Sequence, residues 1–76
     1  MNCIIELTDT FAGEANYSWV NRHEFECEGL TDNQIIRKAR KLIGINGVKT
    51  YKSDFGEIIQ WDFPNVCLRA FLTFNY

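Results

Sequence analysis

The amino-acid sequence predicts a single α+β domain in which one helix covers one face of an antiparallel sheet of four to five strands. One segment has apolar residues at helical spacing, and a capping signal and a glycine enclose it. The segments on both sides are rich in β-branched and aromatic residues and are separated by turn signals, which is typical of strands. A length of 76 residues allows one domain, so we expect residues 1–76 to form one unit with the element order ββαβββ.

Two strands are predicted before the helix. The first covers residues 2–8 and the second covers residues 17–27. Between them, residues 9–16 are mostly small or polar and include Gly13, so we expect a mobile surface loop that is longer than a tight hairpin needs. Such a loop either carries function or is a plain connection, and the sequence leaves both interpretations open.

The helix is predicted over residues 32–43. Thr31 is a suitable N-cap residue, and Gln34 three positions later completes a capping box. Gly44 supplies the left-handed residue that commonly ends a helix. The apolar residues of this segment form one stripe, which consists of Ile35, Ile36, Ala39, Leu42 and Ile43. We expect this stripe to pack on the sheet.

Three strands are predicted after the helix, over residues 48–53, 57–63 and 66–75. Residues 54–56 form a hairpin-turn signal between the first two of these strands, and Pro64 separates the last two. Strands joined by connections this short pair in the antiparallel sense. The sequence therefore predicts an antiparallel sheet and leaves the order of its strands open.

A sheet covered by one helix has a second face that must meet water or a partner. Alternation places Ile59, Trp61 and Phe63 on one face of the fourth strand, and we expect either this set or Phe71 to lie on the uncovered face. Aromatic residues at alternate strand positions are usually core residues. An exposed set, to which Trp19 would also belong, is suited to recognition of a partner, so both interpretations stay open.

The charged residues are unevenly distributed, although the net charge of −2 gives no general attraction to nucleic acid. Residues 1–30 are mainly acidic, and the basic residues gather on the helix and just after it. This basic cluster consists of Arg37, Lys38, Arg40, Lys41, Lys49 and Lys52. It is either a solvated helix face balanced by the acidic first hairpin or a contact surface for an acidic protein or for phosphates.

Residues capable of catalysis or metal binding are few. The only histidine, His23, lies four positions before Cys27, and on a strand this spacing separates the two side chains by ~13 Å. A nucleophile and its base must lie within ~3.2 Å. A contact of His23 with Cys3 or Cys67 across the sheet is the alternative that would allow a cysteine nucleophile. Because the sequence has no metal-ligand spacing and no phosphate-binding glycine loop, we expect no enzymatic activity, no metal and no cofactor.

The cysteines and the hydropathy pattern predict where the protein resides. Three cysteines are an odd number with no close pair, so they do not indicate a disulfide framework. The chain begins without a basic and apolar leader, and no apolar stretch approaches the ~18 residues that a membrane span needs. These features predict a cytoplasmic protein with no membrane contact.

Two segments, Ile5 to Val20 (IELTDTFAGEANYSWV) and Tyr51 to Asp62, resemble small uncharacterised proteins of tailed bacteriophages and prophages. The resemblance covers most of the chain and brings no catalytic residue and no cofactor. It implies an accessory protein made in the bacterial cytoplasm that acts by binding a host or phage protein, with self-association into a homodimer as a further expectation. The alternative is a nucleic-acid-binding module that uses the basic helix face.

The candidate interaction surface combines the aromatic and basic residues singled out above. It consists of Trp19, Arg37, Lys38, Arg40, Lys41, Lys49, Lys52, Trp61 and Phe71.

Overall fold

The structure is a computed structural model that describes residues 1–74. Within these residues it contains five strands and one α-helix in the predicted order ββαβββ, so the α+β fold class is confirmed. The elements are β1 (Asn2–Phe11), β2 (Glu14–Glu26), α1 (Asp32–Ile43), β3 (Tyr51–Asp54), β4 (Ile58–Phe63) and β5 (Leu68–Thr73). A short 3-10 helix, Pro64–Val66, precedes β5.

All five strands form one antiparallel sheet in the order β2-β1-β5-β4-β3. The β1–β2, β3–β4 and β4–β5 neighbours follow each other along the chain. The pairing of β1 with β5 instead joins the first strand to the last, with Ile5 opposite Leu72. This pairing places β5 at the centre of the sheet, between β1 and β4, and leaves β2 and β3 as its two edges.

The hydrophobic core lies between α1 and one face of the sheet. Alternate residues of β1, β4 and β5 contribute to it, together with Phe25 of β2, Cys27 just after β2, and Ile35 and Ala39 of the helix. The sheet residues of this core are Cys3, Ile5, Leu7, Phe25, Cys27, Ile59, Trp61, Phe63, Ala70 and Leu72. Of the two sets that the sequence left open, the Ile59–Trp61–Phe63 set therefore faces the helix. Phe71 lies on the uncovered face, where it is half-buried opposite Glu6 and Gln60.

Helix α1 begins and ends as predicted. Gln34 N donates to Thr31 Oγ1 at 3.3 Å, and Thr31 N donates to Gln34 Oε1 at 2.9 Å, which confirms the capping box. Gly44 has a φ of 68° and its N–H donates to Arg40 O. The predicted stripe was wrong at Leu42, which is 39% exposed. At 100° per residue, the buried arc centres near Ala39, and Leu42 lies at the flank of this arc.

The predicted loop over residues 9–16 was wrong, because the two strands continue through most of it. Strand β1 extends to Phe11 and β2 begins at Glu14. Only Ala12 and Gly13 connect them, with φ values of 54° and 82°. Two consecutive left-handed residues give the tight hairpin turn whose twist matches that of the flanking strands. The usual signals for this turn are Asn-Gly and Asp-Gly, so Ala-Gly did not indicate it.

Two other strand boundaries differ from the prediction by more than one residue. Strand β3 begins at Tyr51 rather than at residue 48, and Thr50 Oγ1 donates to Val48 O at 3.0 Å in the turn before it. Strand β5 begins at Leu68 rather than at residue 66, because the 3-10 helix and Cys67, with a φ of 54°, interrupt the extended backbone. The predicted end of this strand at residue 75 lies outside the described residues.

Candidate functional site: the ribbon tip and the helix strip

The β1–β2 hairpin continues beyond the five-stranded part of the sheet. The paired residues of β5 end opposite Asp9, so residues 9–20 form the distal part of a two-stranded ribbon, here called the ribbon tip. Three aromatic side chains of the ribbon tip are exposed: Phe11 at 74%, Tyr17 at 55% and Trp19 at 43%. Val20 beside them is exposed as well. The ribbon tip therefore presents large apolar side chains to solvent.

A large bulge in β2 sets the shape of the ribbon tip. Thr8 pairs with Val20 and Thr10 pairs with Ala15, so a single residue of β1 lies opposite residues 16–19 of β2. Tyr17, inside this bulge, has a left-handed φ of 53°. Bulges of this kind bend a strand and redirect its side chains. The bulge therefore determines where the rings of Tyr17 and Trp19 lie.

The carboxylate of Asp9 organises the bulge. Ser18 donates to it twice, from its N–H to Oδ1 at 3.0 Å and from its hydroxyl to Oδ2 at 2.6 Å. Asn16 Nδ2 donates to Oδ2 at 3.0 Å, and the buried Thr8 hydroxyl donates to Trp19 O at 2.8 Å. The Ser18 hydroxyl first and the Asn16 amide second lower the pKa of Asp9 from 3.8 to about 2. A charged Asp9 thus holds the bulge in one conformation.

Arg69 of β5 ties the ribbon tip to the sheet. Its Nη2 donates to Gly13 O at 2.9 Å, and its Nε donates to Asp62 of β4. Gln60 Nε2 donates to the other oxygen of Asp62 at 3.0 Å. A pocket of about 330 Å³ lies beside the Arg69–Asp62 pair. It is lined by Thr10, Gly13, Tyr51, Asp62, Pro64, Leu68 and Arg69. The tip is therefore fastened at Gly13 as well as at Asp9.

The uncovered face of the sheet is mainly polar between these features. Arg22 donates from both Nε and Nη2 to Glu6 Oε2, the shorter distance being 2.8 Å. With the Asp62–Arg69 pair, this ion pair places charges on both sides of the half-buried Phe71. The uncovered face of the sheet is therefore largely ionic, and the exposed aromatic residues are concentrated on the ribbon tip.

The exposed side of α1 carries the second candidate surface. Gln34, Arg37, Lys38, Lys41 and Leu42 lie on one strip, here called the helix strip, and surround an open groove of about 620 Å³. Lys38 Nζ lies 5.5 Å from the centre of the Phe25 ring and 3.5 Å from Glu26 O. The strip thus runs along the side of the helix that is next to β2.

Arg40 and Trp61 do not belong to an exposed surface, which corrects their place in the predicted interaction surface. Trp61 is 2% exposed and lies in the core. Arg40 is half-buried, and its guanidinium carbon lies 5.6 Å from the Trp61 ring and 5.4 Å from the Phe63 ring. Its Nη2 donates to Ile45 O at 3.0 Å. Arg40 therefore connects the end of α1 to the sheet and the following loop.

The remaining basic residues are separate from the helix strip. Lys49 Nζ lies 5.4 Å from the Tyr51 ring, and Lys52 is an exposed residue of the edge strand β3. Neither lines the groove of the helix strip. The structure thus brings together Arg37, Lys38 and Lys41, and it leaves the other two lysines apart from them. Phe11 was missed in the sequence because it fell within the predicted loop, and Tyr17, which begins the predicted second strand, was left out of the predicted interaction surface.

The residues suited to catalysis are dispersed. His23 is half-buried opposite Ile5, and Cys3 is opposite Phe25, so the register does not place the imidazole opposite that thiol. Cys27 is buried and its thiol contacts Met1 O, whereas Cys67 is exposed. Among residues 1–74, no group of three His, Cys, Asp or Glu side chains is placed to hold a metal ion. None of the described helices is long and apolar enough to cross a membrane.

Comparison of the chain with protein-family models, with curated proteins and with solved structures finds no match. A function is therefore inferred from the surfaces of this chain.

Proposed function

We propose that this protein is a binding module that captures a partner protein with its ribbon tip. The observation that carries the proposal is the exposure of Phe11, Tyr17 and Trp19 on a segment whose backbone is fixed by hydrogen bonds. Aromatic side chains are enriched in protein interfaces and supply large contact areas with few rotatable bonds. Small monomers rarely expose several large rings together without a binding role.

The rigidity of the ribbon tip supports this proposal. A two-stranded ribbon is only marginally stable by itself in water. Here Asp9 holds the bulge and Arg69 holds the turn, so the rings are presented in one arrangement before a partner arrives. A surface organised in advance binds with a smaller loss of conformational entropy than a flexible loop does. The long hairpin is thus suited to recognition rather than to simple connection.

The chemistry of the ribbon tip defines the partner surface that would fit it. The rings require an apolar cleft, and the exposed Glu14 at the start of β2 favours a neutral or basic rim around that cleft. The resemblance to phage and prophage proteins suggests a host or phage protein in the bacterial cytoplasm. We propose a non-catalytic accessory role of this kind.

The test is capture of a partner by wild-type protein and by two matched variants. The first variant carries Phe11→Ser and Trp19→Ser on the ribbon tip. The second carries Phe55→Ser and Val66→Ser, which are also exposed apolar residues but lie outside the tip. We expect one bacterial or phage protein to bind wild type and the second variant with similar Kd values, and to lose affinity at least tenfold for the first.

Circular dichroism and thermal melting establish that both variants are folded before binding is compared. Loss of affinity in both variants, or equal affinity in all three proteins, would overturn the proposal. So would the absence of any specific partner at micromolar protein concentration.

A nucleic-acid-binding role is the second candidate, and the helix strip favours it. Arg37, Lys38 and Lys41 are exposed along one side of α1, where they could contact successive phosphates. The net charge of −2 and the inward position of Arg40 weaken this candidate relative to the first. Electrophoretic mobility shifts with RNA and DNA test it, comparing Arg37→Glu/Lys41→Glu with Lys52→Glu as the control. No shift at low salt would exclude the candidate, since phosphate contacts are strongest there.

A further inference from the structure

The outer edge of β2 is available to another strand over a defined length. Strand β2 is an edge strand of the sheet, and its regular pairing with β1 runs from Val20 to Glu26. The bulge at residues 16–19 ends this stretch on one side. On the other side the strand ends, and Lys38 Nζ lies 3.5 Å from Glu26 O. Residues 20–26 are therefore the straight part of this edge.

The register shows which backbone groups point outward along this edge. Cys27 N donates to Met1 O at 3.1 Å, so these two residues form a hydrogen-bonded pair of the antiparallel ladder. Such pairs alternate with pairs whose N–H and C=O groups point away from each other. Residues 21, 23 and 25 therefore bond to β1, and residues 20, 22, 24 and 26 direct their backbone groups to the open edge. An open edge with such groups is a template for strand pairing.

Charge and the length of the straight edge together favour one way in which this edge could pair with an identical edge. Two antiparallel copies related by a two-fold axis at Arg22 would place two arginines opposite each other. An axis at Glu24 would place two glutamates opposite each other at its centre and Arg22 opposite Glu26 of the second copy on both sides, and it would pair only residues 22–26 of the straight edge. An axis at His23 instead places Arg22 opposite Glu24 of the second copy, on both sides of the axis. Opposite charges at directly facing positions stabilise a strand pair, whereas like charges destabilise it.

We propose that the protein forms a homodimer in which two β2 strands pair antiparallel about a two-fold axis at His23. The midpoint of the straight edge, residues 20–26, is also His23, so strand geometry and charge pattern select the same register. The Arg22 and Glu24 main chains exchange hydrogen bonds on each side of the axis, and the two sheets join into one.

In the single chain both charged side chains have partners on β1 and remain exposed. Arg22 is held by Glu6 at 2.8 Å and its side chain is 59% exposed. Glu24 Oε1 accepts from Asn2 Nδ2 at 2.7 Å and Glu24 is also exposed. Both lie on the uncovered face, where Arg22 is opposite Glu6 and Glu24 is opposite Ile4. Charged residues on an edge usually prevent pairing. In this order they favour the axis at His23, which avoids facing like charges at positions 22 and 24 and pairs all of residues 20–26.

Charge reversal and mixing test the dimer. An Arg22→Glu chain has only acidic side chains at positions 22 and 24, and a Glu24→Arg chain has only basic ones. We expect each variant alone to dimerise roughly tenfold or more weakly than wild type, because both facing pairs become repulsive. An equimolar mixture of the two variants should recover a dimer, as should the double variant Arg22→Glu/Glu24→Arg. Analytical ultracentrifugation measures these four samples and wild type. Recovery in the mixture also shows that the single variants are folded.

A disulfide test checks the register independently of charge. At a non-hydrogen-bonded pair on the axis the two Cα atoms lie about 4.5 Å apart, within the range that a disulfide spans. In a Cys67→Ser background, which removes the exposed thiol, His23→Cys should oxidise to a linked dimer. Arg22→Cys and Glu24→Cys, the controls, should remain largely unlinked.

Three results would overturn the dimer. The first is a wild-type chain that stays monomeric at millimolar concentration. The second is a mixture of the charge variants that gains no dimer over the separate samples. The third is preferential linking at position 22 or 24. Because the proposed dimer uses residues 20–26 and partner capture uses the rings at 11, 17 and 19, failure of one proposal leaves the other testable.

Discussion

Asp9 compensates for the hydrogen bonds that the bulge removes from the β1–β2 ladder. Where residues 16–19 leave regular pairing, their backbone groups need other partners. The Asp9 carboxylate accepts the Ser18 N–H, and the Thr8 hydroxyl donates to Trp19 O, so two of these groups are satisfied by side chains. An ionised carboxylate makes stronger hydrogen bonds than a neutral group does. The protonation state of Asp9 is therefore linked to the conformation of the ribbon tip.

The lowered pKa of Asp9 predicts an acid-sensitive contribution to stability. The pKa falls from 3.8 to about 2 on folding, mainly because of the Ser18 hydroxyl. A group whose pKa is lowered stabilises the fold fully above its unfolded pKa and loses that effect as the pH falls toward its folded pKa. The contribution of Asp9 should thus be present above pH 4 and decline between 3.8 and about 2. Carboxyl NMR titration should place the pKa of Asp9 well below 3.8.

Ser18→Ala tests whether the Ser18 hydroxyl causes the lowered pKa of Asp9. It removes the hydroxyl donor and should move the pKa of Asp9 upward toward 3.8. Ser53→Ala on β3, at the opposite edge of the sheet, is the control and should leave the titration of Asp9 unchanged. A wild-type Asp9 that already titrates near 3.8 would contradict this account of the bulge.

Single residues were the hardest to assign from sequence, because their roles depend on distant partners. Asp9 was expected in a loop, and its contacts with Asn16 and Ser18 exist only because the two strands continue past it. Arg40 was grouped with the other helix cations, although its guanidinium packs near the rings of Trp61 and Phe63. Helical spacing alone places Arg40 at the margin of the buried arc, and a long aliphatic stem lets such a residue reach inward.

Among the elements, α1 is specified by local sequence. Its N-terminal hydrogen bonds join Thr31 to Gln34, three residues away, and its C-terminal bond joins Gly44 to Arg40. Interactions of this range leave a recognisable pattern in the sequence. The capping box, the helix bounds and the glycine stop were therefore predictable. The exposure of Leu42 was not, because it depends on the rotation of the helix about its axis against the sheet.

Removal of the N-cap should destabilise the whole domain. Thr31→Ala leaves Gln34 N without its side-chain acceptor and should lower the free energy of unfolding by about 1 kcal/mol. Asn33→Ala, at an exposed position in the first turn, is the control and should cause no loss, because alanine has the higher helix propensity. Urea denaturation of the three proteins measures the difference. Equal losses in both variants would mean that the capping box does not contribute.

Unlike the helix, the distal half of the β1–β2 hairpin could not be predicted from local sequence. In its turn, Ala12 has a left-handed backbone conformation, which residues other than glycine, asparagine and aspartate rarely adopt. The bulge at residues 16–19 also interrupts the alternation by which strands are recognised. Because of both features, the sequence pattern did not indicate the distal half of the hairpin. They also place the exposed rings of the ribbon tip, so the least predictable element is the one with the proposed function.

At the scale of the whole molecule, the two faces of the sheet should respond differently to the same substitution. Phe63 is fully buried beneath α1, whereas Phe71 is half-buried on the uncovered face beside charged groups. Phe63→Ala should lower the free energy of unfolding by about 3–5 kcal/mol, or prevent folding, because a cavity forms in the core. Phe71→Ala should cost roughly half of that or less, since less apolar area leaves water there.

Urea unfolding followed by tryptophan fluorescence compares these two variants. Trp61 lies in the core and reports on its packing. Similar losses for Phe63→Ala and Phe71→Ala would contradict the division of the sheet into a covered and an uncovered face.

The arrangement of strands could not be predicted, although the class of fold could. Periodicity and turn signals establish how many elements exist and in what order. They do not report that β5 lies between β1 and β4, because this pairing joins residues more than sixty positions apart, such as Ile5 and Leu72. The composition did predict that one helix would leave a face uncovered. Which residues occupy that face followed only from the register.

The pairing of the first strand with the last also has a consequence for how the chain folds. The β1–β2 hairpin, the helix and the β3–β4 hairpin can each begin to form from neighbouring residues, but β1 and β4 have no shared partner until β5 is placed. Contacts so distant along the chain slow folding relative to helical bundles of similar size. During synthesis β1 leaves the ribosome long before β5 does, so the middle of the sheet is completed only after β5 has also emerged.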